Sequence, residues 1–271
     1  MQFIEIQGER VPAVGLGTWK LTHGDCARAV AQALQIGYRH IDTAQAYGNE
    51  SEIGEALQSS RVARESVFLT SKLWLDNLQP AEVARSAEES LSKLQTGYLD
   101  LLLIHWPNED IPVEATLDAL LALQEDGKIR HLGVSNFTPS LLERVLEHTP
   151  IFCNQIEYHP FLSQETHLGL ARDHDYMVTA YAPLARGKVL EDPGLREIGR
   201  KHGKSPSQVA LRWLIQQEKV AAIPKASSRE HLEANLDVFD FELSEDEMQR
   251  IADCGREERL INPEFAPEWR E

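Results

Sequence analysis

The feature that most constrains this chain is a repetition. A short apolar or β-favouring run gives way to a helical period, and the pair recurs from Gly15 to the last third of the sequence. Residues 15–19 form the first run and lead to a helix over 26–36 that stops at Gly37. A strand over 38–42 precedes a helix over 51–58, and a strand over 67–71 precedes one over 81–94. The run 99–104 is apolar almost throughout, as a strand buried on both faces should be, and a helix over 113–125 follows. Strand 130–134 leads to a helix from Pro139, strand 151–156 to a helix over 164–173, and strand 176–180 to helices over 195–202 and 207–217. The last strand, 220–223, is followed by helices over 229–238 and from Ser244.

Eight strand–helix units predict an α/β fold with a parallel sheet and right-handed crossovers, closed as a (β/α)8 TIM barrel. A β-hairpin over 3–6 and 11–14, turning at Gln7-Gly8-Glu9-Arg10, stands before it. No linker or composition break divides the 271 residues, so one domain over 1–271 is expected. A doubly wound open sheet is the alternative. It usually has fewer strands, and its GxGxxG loop is missing here, because Lys20 stands where the third glycine of GLGTWK would be.

The net charge of −16 disfavours nucleic acid and anionic membranes as partners. It also means that an anionic ligand would need a locally basic pocket. No apolar run approaches the length of about 20 residues that spans a bilayer. Residues 1–10 lack the basic and apolar layout of a secretion signal. Cys26, Cys153 and Cys254 are odd in number, far apart and form no CxxC pair. These points predict a cytoplasmic protein.

A barrel keeps its chemistry at the C-terminal ends of its strands. Here those ends carry Thr18 and Trp19, Asp42, Lys72, His105, Ser135 and Asn136, Gln155, Tyr181 and Lys225. The stretch YRHIDTAQAYGNE adds Tyr47 on the loop after Asp42, and Asn49 and Glu52 are placed as a capping box for the next helix. Taken singly, Lys72 reads as a solvated lysine and His105 as a half-buried histidine. Their joint placement on successive strand ends argues for chemistry. A phenol has an ordinary pKa of about 10, which an adjacent ammonium lowers. Tyr47 is then a proton donor eased by Lys72, with Asp42 pairing the lysine and His105 directing a carbonyl oxygen. Nothing in the set supplies a hydride, so carbonyl reduction needs a reduced nicotinamide. Trp19, Trp74 and Trp106 offer an apolar substrate cleft around the same mouth.

Other chemistries fit poorly. The chain has no HExxH motif or Cys/His cluster with zinc spacing, so no metal is expected. A barrel glycosidase wants two facing carboxylates, and only Asp42 and Glu157 stand near strand ends. No serine lies in a GxSxG elbow.

The stretches GLGTW, GYRHIDTAQAYGNE, LTSKLW, LDLLLIHWP, GVSNF, NQIEYHP, AYAPLARG and IPKASS, in this order, resemble the aldo-keto reductases, most of all the compact bacterial 2,5-diketo-D-gluconate reductase type. The resemblance spans nearly the whole chain. It implies NADPH-dependent reduction of aldehydes or ketones by a monomer, with Asp42, Tyr47, Lys72 and His105 as the catalytic tetrad. It places Ser135, Asn136 and Gln155 on the nicotinamide amide, with Tyr181 stacked on the ring and Gly17, Thr18, Trp19 and Asp42 beside the cofactor. Ala182, Pro183, Leu184, Arg186 and Gly187 would cover the pyrophosphate. Lys225, Ala226, Ser227, Arg229 and His231 would hold the adenosine phosphate, and Asn235 the adenine. Trp19, Tyr47, Trp74, His105 and Trp106 would contact substrate, and the C-terminal tail would be its far wall. Many NADPH-dependent relatives have an arginine where His231 stands and a serine where Ala226 stands, which predicts a moderate preference with NADH as a weaker alternative. Some relatives bind nicotinamide but act as regulatory or structural subunits. The implied substrates are keto sugars, α-dicarbonyls such as methylglyoxal, and β-keto esters.

Overall fold

The structure, a computed structural model, describes residues 2–255 and 257–269. It opens on an antiparallel hairpin, β1 (Phe3–Ile6) and β2 (Glu9–Pro12). The turn is tighter than expected: only Gln7 and Gly8 lie outside the ladder, both with positive φ, as a two-residue hairpin turn requires.

Eight parallel strands follow: β3 (Leu16–Gly17), β4 (His40–Asp42), β5 (Phe68–Leu73), β6 (Leu99–Ile104), β7 (Ile129–Ser135), β8 (Cys153–Glu157), β9 (Met177–Tyr181) and β10 (Val220–Ala222). Neighbours in sequence are neighbours in the sheet throughout. The first and last strands also meet: Val14 pairs with Ala222, and the Gly15 and Gly17 amides donate to the Ala222 and Pro224 carbonyls at 2.9 and 3.2 Å. A Cβ on Gly17 would fall 2.5 Å from the Ile223 carbonyl oxygen, so this approach needs glycine. The architecture is an α/β fold consistent with a TIM-type barrel.

The helices lie where the periodicity puts them. Those used below are α1 (His23–Ile36), α2 (Glu50–Ser59), α3 (Pro80–Lys93) and α4 (Val113–Glu125), then α5 (Pro139–His148), α6 (Glu165–His174), α7 (Pro193–His202), α8 (Pro206–Ile215) and α9 (Arg229–Leu236). Gly37 ends α1 in the left-handed region at φ 113°, with its amide on Ala33 and Leu34. The expected capping box on α2 is absent. Asn49 occupies the cap position, but its carboxamide accepts from Thr43 Oγ1 and donates to the Thr18 and Leu21 carbonyls. Three inter-loop hydrogen bonds outcompete one local cap, and Asn49 ties the β3 and β4 loops together.

Side chains alternate across the strands with period two. Leu102 and Ile104 join the core beneath the helices, whereas Leu101 and Leu103 join an inner cluster with Phe68, Cys153, Met177 and Ala221. Ile6 and Val11 of the hairpin pack into that inner cluster. Following the alternation upward puts Lys72 on the face of Phe68, His105 on that of Leu103, Gln155 on that of Cys153 and Tyr181 on that of Met177. The pleat that fills the lower lumen with apolar groups therefore fills its upper end with polar ones.

Candidate active site

The polar end centres on Lys72. Its Nζ is fully buried, 2.6 Å from Asp42 Oδ1, and it also donates to the Thr43 carbonyl at 2.8 Å and to Tyr47 Oη at 3.4 Å. Gln155 Nε2 donates to the other Asp42 oxygen at 2.7 Å. Burial pulls the ammonium down, but Asp42 and Tyr47 outweigh it, and the Lys72 pKa stands above its ordinary value. Lys72 is thus a fixed cation with its protons directed at named oxygens.

Tyr47 departs from the expectation drawn from its neighbour. Burial raises its pKa, Lys72 opposes, and burial wins, so the phenol lies above 10 rather than below it. The lysine tempers the rise without reversing it. His105 packs edge-on to both Tyr47 and Trp74, with centroids at 5.7 and 5.3 Å. Burial, then the Lys72 charge, hold its pKa well below 6.5, so the imidazole is neutral. Its Nδ1 is buried without a hydrogen-bond partner among the described residues.

Beside these groups, Asn136 adopts φ 64° and bridges three elements. Its amide donates to the His105 carbonyl and to Ser135 Oγ, and its oxygen accepts from Tyr181 Oη at 2.6 Å. Ser135 Oγ donates to the Gln155 carbonyl. Burial raises the Tyr181 pKa strongly, so its ring is a neutral face.

These residues border one cavity of about 1000 Å3. Its lining includes Asp42, Tyr47, Trp74, His105 and Trp106, together with Ser135, Asn136, Gln155 and Tyr181. It continues past Gly17, Thr18 and Trp19 to Ala182, Pro183, Leu184, Arg186 and Gly187, and ends at Lys225. Lys72 lies beneath it. Ala226, Ser227, Arg229, His231 and Asn235 do not line it. Ala226 and Asn235 are buried, whereas Ser227, Arg229 and His231 are exposed. Arg229 pairs with Glu233 at 2.7 Å, and Ser228 caps α9 through the His231 amide.

Of the rim groups, Lys20 and the individual tail residues were not anticipated from the sequence, whereas Arg186 and Lys225 were. Lys20 and Arg186 sit over the Trp19 ring at 4.4 and 5.6 Å from its centroid. Among the described residues, Lys20, Arg186 and Lys225 are the cations of the lining and Asp42 its one acid, already paired. In a chain of charge −16, that sign reversal makes the outer lining electrostatically suited to an anion. The 182–187 loop adds left-handed backbone at Ala182, Ala185, Arg186 and Gly187. From the tail, Phe265 stands edge-on to Trp74 and Trp106 at 5.5 and 5.4 Å, and Leu260, Ile261, Asn262 and Pro263 complete the wall. For Lys20 the one sequence signal was its adjacency to Trp19; Arg186, Lys225 and the tail as far wall followed from the resemblance, and the tail's lack of periodicity hid which of its residues form the wall.

This eight-stranded parallel fold, with a buried Lys–Asp pair under a tyrosine at its strand ends, belongs to an oxidoreductase of the aldo/keto reductase family. Residues 13–256 match that family, and the chain belongs to it. It is 40% identical over 265 residues to methylglyoxal reductase DkgB of Escherichia coli O157:H7, covering 96% of this chain and 99% of the relative. It is also 40% identical over 256 residues to glyoxal reductase of Bacillus subtilis strain 168, covering 93% and 92%. The crystal structure of a protein assigned as a 2,5-diketo-D-gluconic acid reductase B superposes with TM-score 0.98 at 43% identity, covering 100% of this chain and 98% of that one. The resemblance in the motifs is therefore upheld, including its bacterial subtype. No helix among the described residues is long and apolar enough to cross a membrane.

Proposed function

We propose that this protein reduces aldehydes and ketones to alcohols with NADPH, with Tyr47 as the general acid. The observation that carries the reading is the buried Lys72 ammonium, held by Asp42 and Thr43 and directed at the Tyr47 hydroxyl. The neutral phenol is the protonated form an acid needs. As it gives its proton to the carbonyl oxygen, the phenolate left behind faces the ammonium at 3.4 Å. Neutral His105 donates to the same oxygen and orients it, which favours one attack geometry. The aromatic wall of Trp74, Trp106 and Phe265 takes the organic part of the substrate.

The residues present suit a dinucleotide. The cavity volume reaches the upper range of small-molecule sites, and three cations border its outer part. Ser135, Asn136 and Gln155 would hold the carboxamide, and Tyr181 would stack against the ring. The 182–187 loop, with Arg186, would hold the pyrophosphate. Lys225, Ser227, Arg229 and His231 would hold the ribose phosphate, with Ala226 beside them and Asn235 toward the adenine. When bound, the reduced nicotinamide supplies the hydride.

The names of the relatives favour small α-dicarbonyls and keto sugars as substrates, with β-keto esters as further candidates. The test is the loss of NADPH or NADH absorbance on adding methylglyoxal, 4-nitrobenzaldehyde or a keto sugar. We expect turnover with both cofactors, faster with NADPH. Tight NADPH binding without turnover across that panel overturns the reading and favours a regulatory role.

A further inference from the structure

Glu157 ends β8, is fully buried, and belongs neither to the proton-transfer set nor to the cavity lining. A carboxylate in that position must find donors. It finds them in the C-terminal segment. The Leu260 amide donates to Oε1 at 2.7 Å and the Ile261 amide to Oε2 at 3.0 Å. Arg259 Nη1 lies 3.9 Å from Oε2, and its guanidinium covers the Trp269 ring at 3.5 Å. His159 completes the set. Its Nδ1 accepts from the Phe161 amide, so the proton sits on Nε2, which donates to Glu157 Oε1 at 3.1 Å. The Glu258 amide donates to the Phe161 carbonyl, fixing the start of the same segment.

What this carboxylate grips is a piece of cavity wall. Leu260 and Ile261 line the cavity directly, and Phe265, four residues on, packs against Trp74 and Trp106. The segment 257–263 has no helix or strand of its own to hold it. Gln155 and Glu157 lie on one face of β8 two residues apart. The first holds the catalytic aspartate and the second holds the tail, so one strand fixes both ends of the substrate space.

We infer that Glu157 is a positioning residue that clamps the C-terminal segment and thereby sets the far wall of the substrate cavity. The inference rests on the reductase reading for its kinetic consequence but not for its structural one. In Glu157→Gln, KM for 4-nitrobenzaldehyde, the larger of the two probes, rises by about tenfold, the equivalent of one lost charge-assisted hydrogen bond. For the smaller methylglyoxal the rise is less, and kcat and the Kd for NADPH stay within about twofold, because the loss falls on positioning of the larger substrate. Phe265→Ala gives the same pattern. Adding it to Glu157→Gln costs nothing more, since both act through one segment. Additive effects, or an unchanged KM in Glu157→Gln, overturn the inference. Amide hydrogen exchange on the wild-type protein tests the clamp without any variant: Leu260 and Ile261 exchange far more slowly than an open chain. Exchange at open-chain rates overturns the clamp. If no carbonyl is turned over, the reductase reading falls and the exchange result alone decides.

Discussion

The two ends of the cavity are built on opposite principles. At the inner end, Lys72, Asp42 and Gln155 are buried and already paired with protein, and among the catalytic candidates His105 alone keeps a buried ring nitrogen without a partner among the described residues. At the outer end, just past Lys225 and outside the cavity lining itself, Arg229 and His231 are exposed, and Arg229 pairs with a glutamate on its own helix. Removing one partner of a buried pair costs about 3–5 kcal/mol, whereas an exposed pair contributes about 0.2–1 kcal/mol. The inner geometry is therefore complete before any ligand arrives, while the outer pairing is weak enough for a phosphate to replace. On the proposed function, proton transfer is a property of the fold and cofactor choice a property of the complex.

The largest effect should come at the inner end. Tyr47→Phe keeps the ring and its packing on His105 but removes the proton, so kcat falls by about 10²–10⁴-fold with the Kd for NADPH unchanged. Turnover close to wild type would remove Tyr47 from the acid role. Lys72→Met attacks the same end through stability. It leaves Asp42 buried with Gln155 as its remaining side-chain partner, and unfolding by urea should show a loss of about 3–5 kcal/mol. A loss under about 1 kcal/mol, the range of exposed pairs, would erase the contrast between the two ends.

His105 sharpens the comparison through pH. His105→Ala should lower kcat/KM by about 10²-fold for every substrate, as misorientation does. A loss confined to one substrate would make it a specificity residue. Because burial and Lys72 hold its pKa well below 6.5, its neutral form persists as pH falls through that value. Wild-type kcat/KM should therefore show no step near 6.5 assignable to this residue. A step there that vanishes in His105→Ala contradicts a preformed neutral imidazole.

The inner end was also the more legible. Period-two alternation and a polar residue at each strand end suffice to gather Asp42, Lys72, His105, Gln155 and Tyr181 on one face. The sixth barrel unit illustrates the limit of this reading, because it assigned Gln155 and gave Glu157 no role beyond a carboxylate near a strand end; its backbone donors, Leu260 and Ile261, lie a hundred residues away. The strand 99–104 and the helix 113–125 were read with the bounds they have, since apolar runs and a glycine stop are local signals. Asn49 misled because a local cap and a long-range tether use the same carboxamide. The direction of the Tyr47 shift was misjudged for a similar reason: a neighbouring charge is visible in sequence, and the burial that outweighs it is not.

The smallest effect, and the one that most directly probes the outer end, concerns Arg229. As it stands the guanidinium belongs to Glu233, and about half of each side chain is exposed. A phosphate monoester offers more charge and a bidentate geometry, so it should displace the glutamate at little cost. Arg229→Ala should then raise KM for NADPH by about three- to tenfold, roughly 1 kcal/mol, and leave KM for NADH alone. Glu233→Ala should do the reverse on a smaller scale, since it releases Arg229 for the ligand. Salt discriminates further. The screening length falls from about 8 Å at 0.15 M to about 3 Å at 1 M, so the wild-type preference for NADPH should shrink between them. Equal KM values for the two cofactors in the wild type would sink the phosphate site. An Arg229→Ala variant that raises both values alike would leave the site with Lys225 and remove Arg229 from it. A preference that ignores salt would mean that the outer cations are as preformed and buried in effect as the inner ones, and the contrast between the two ends would be wrong.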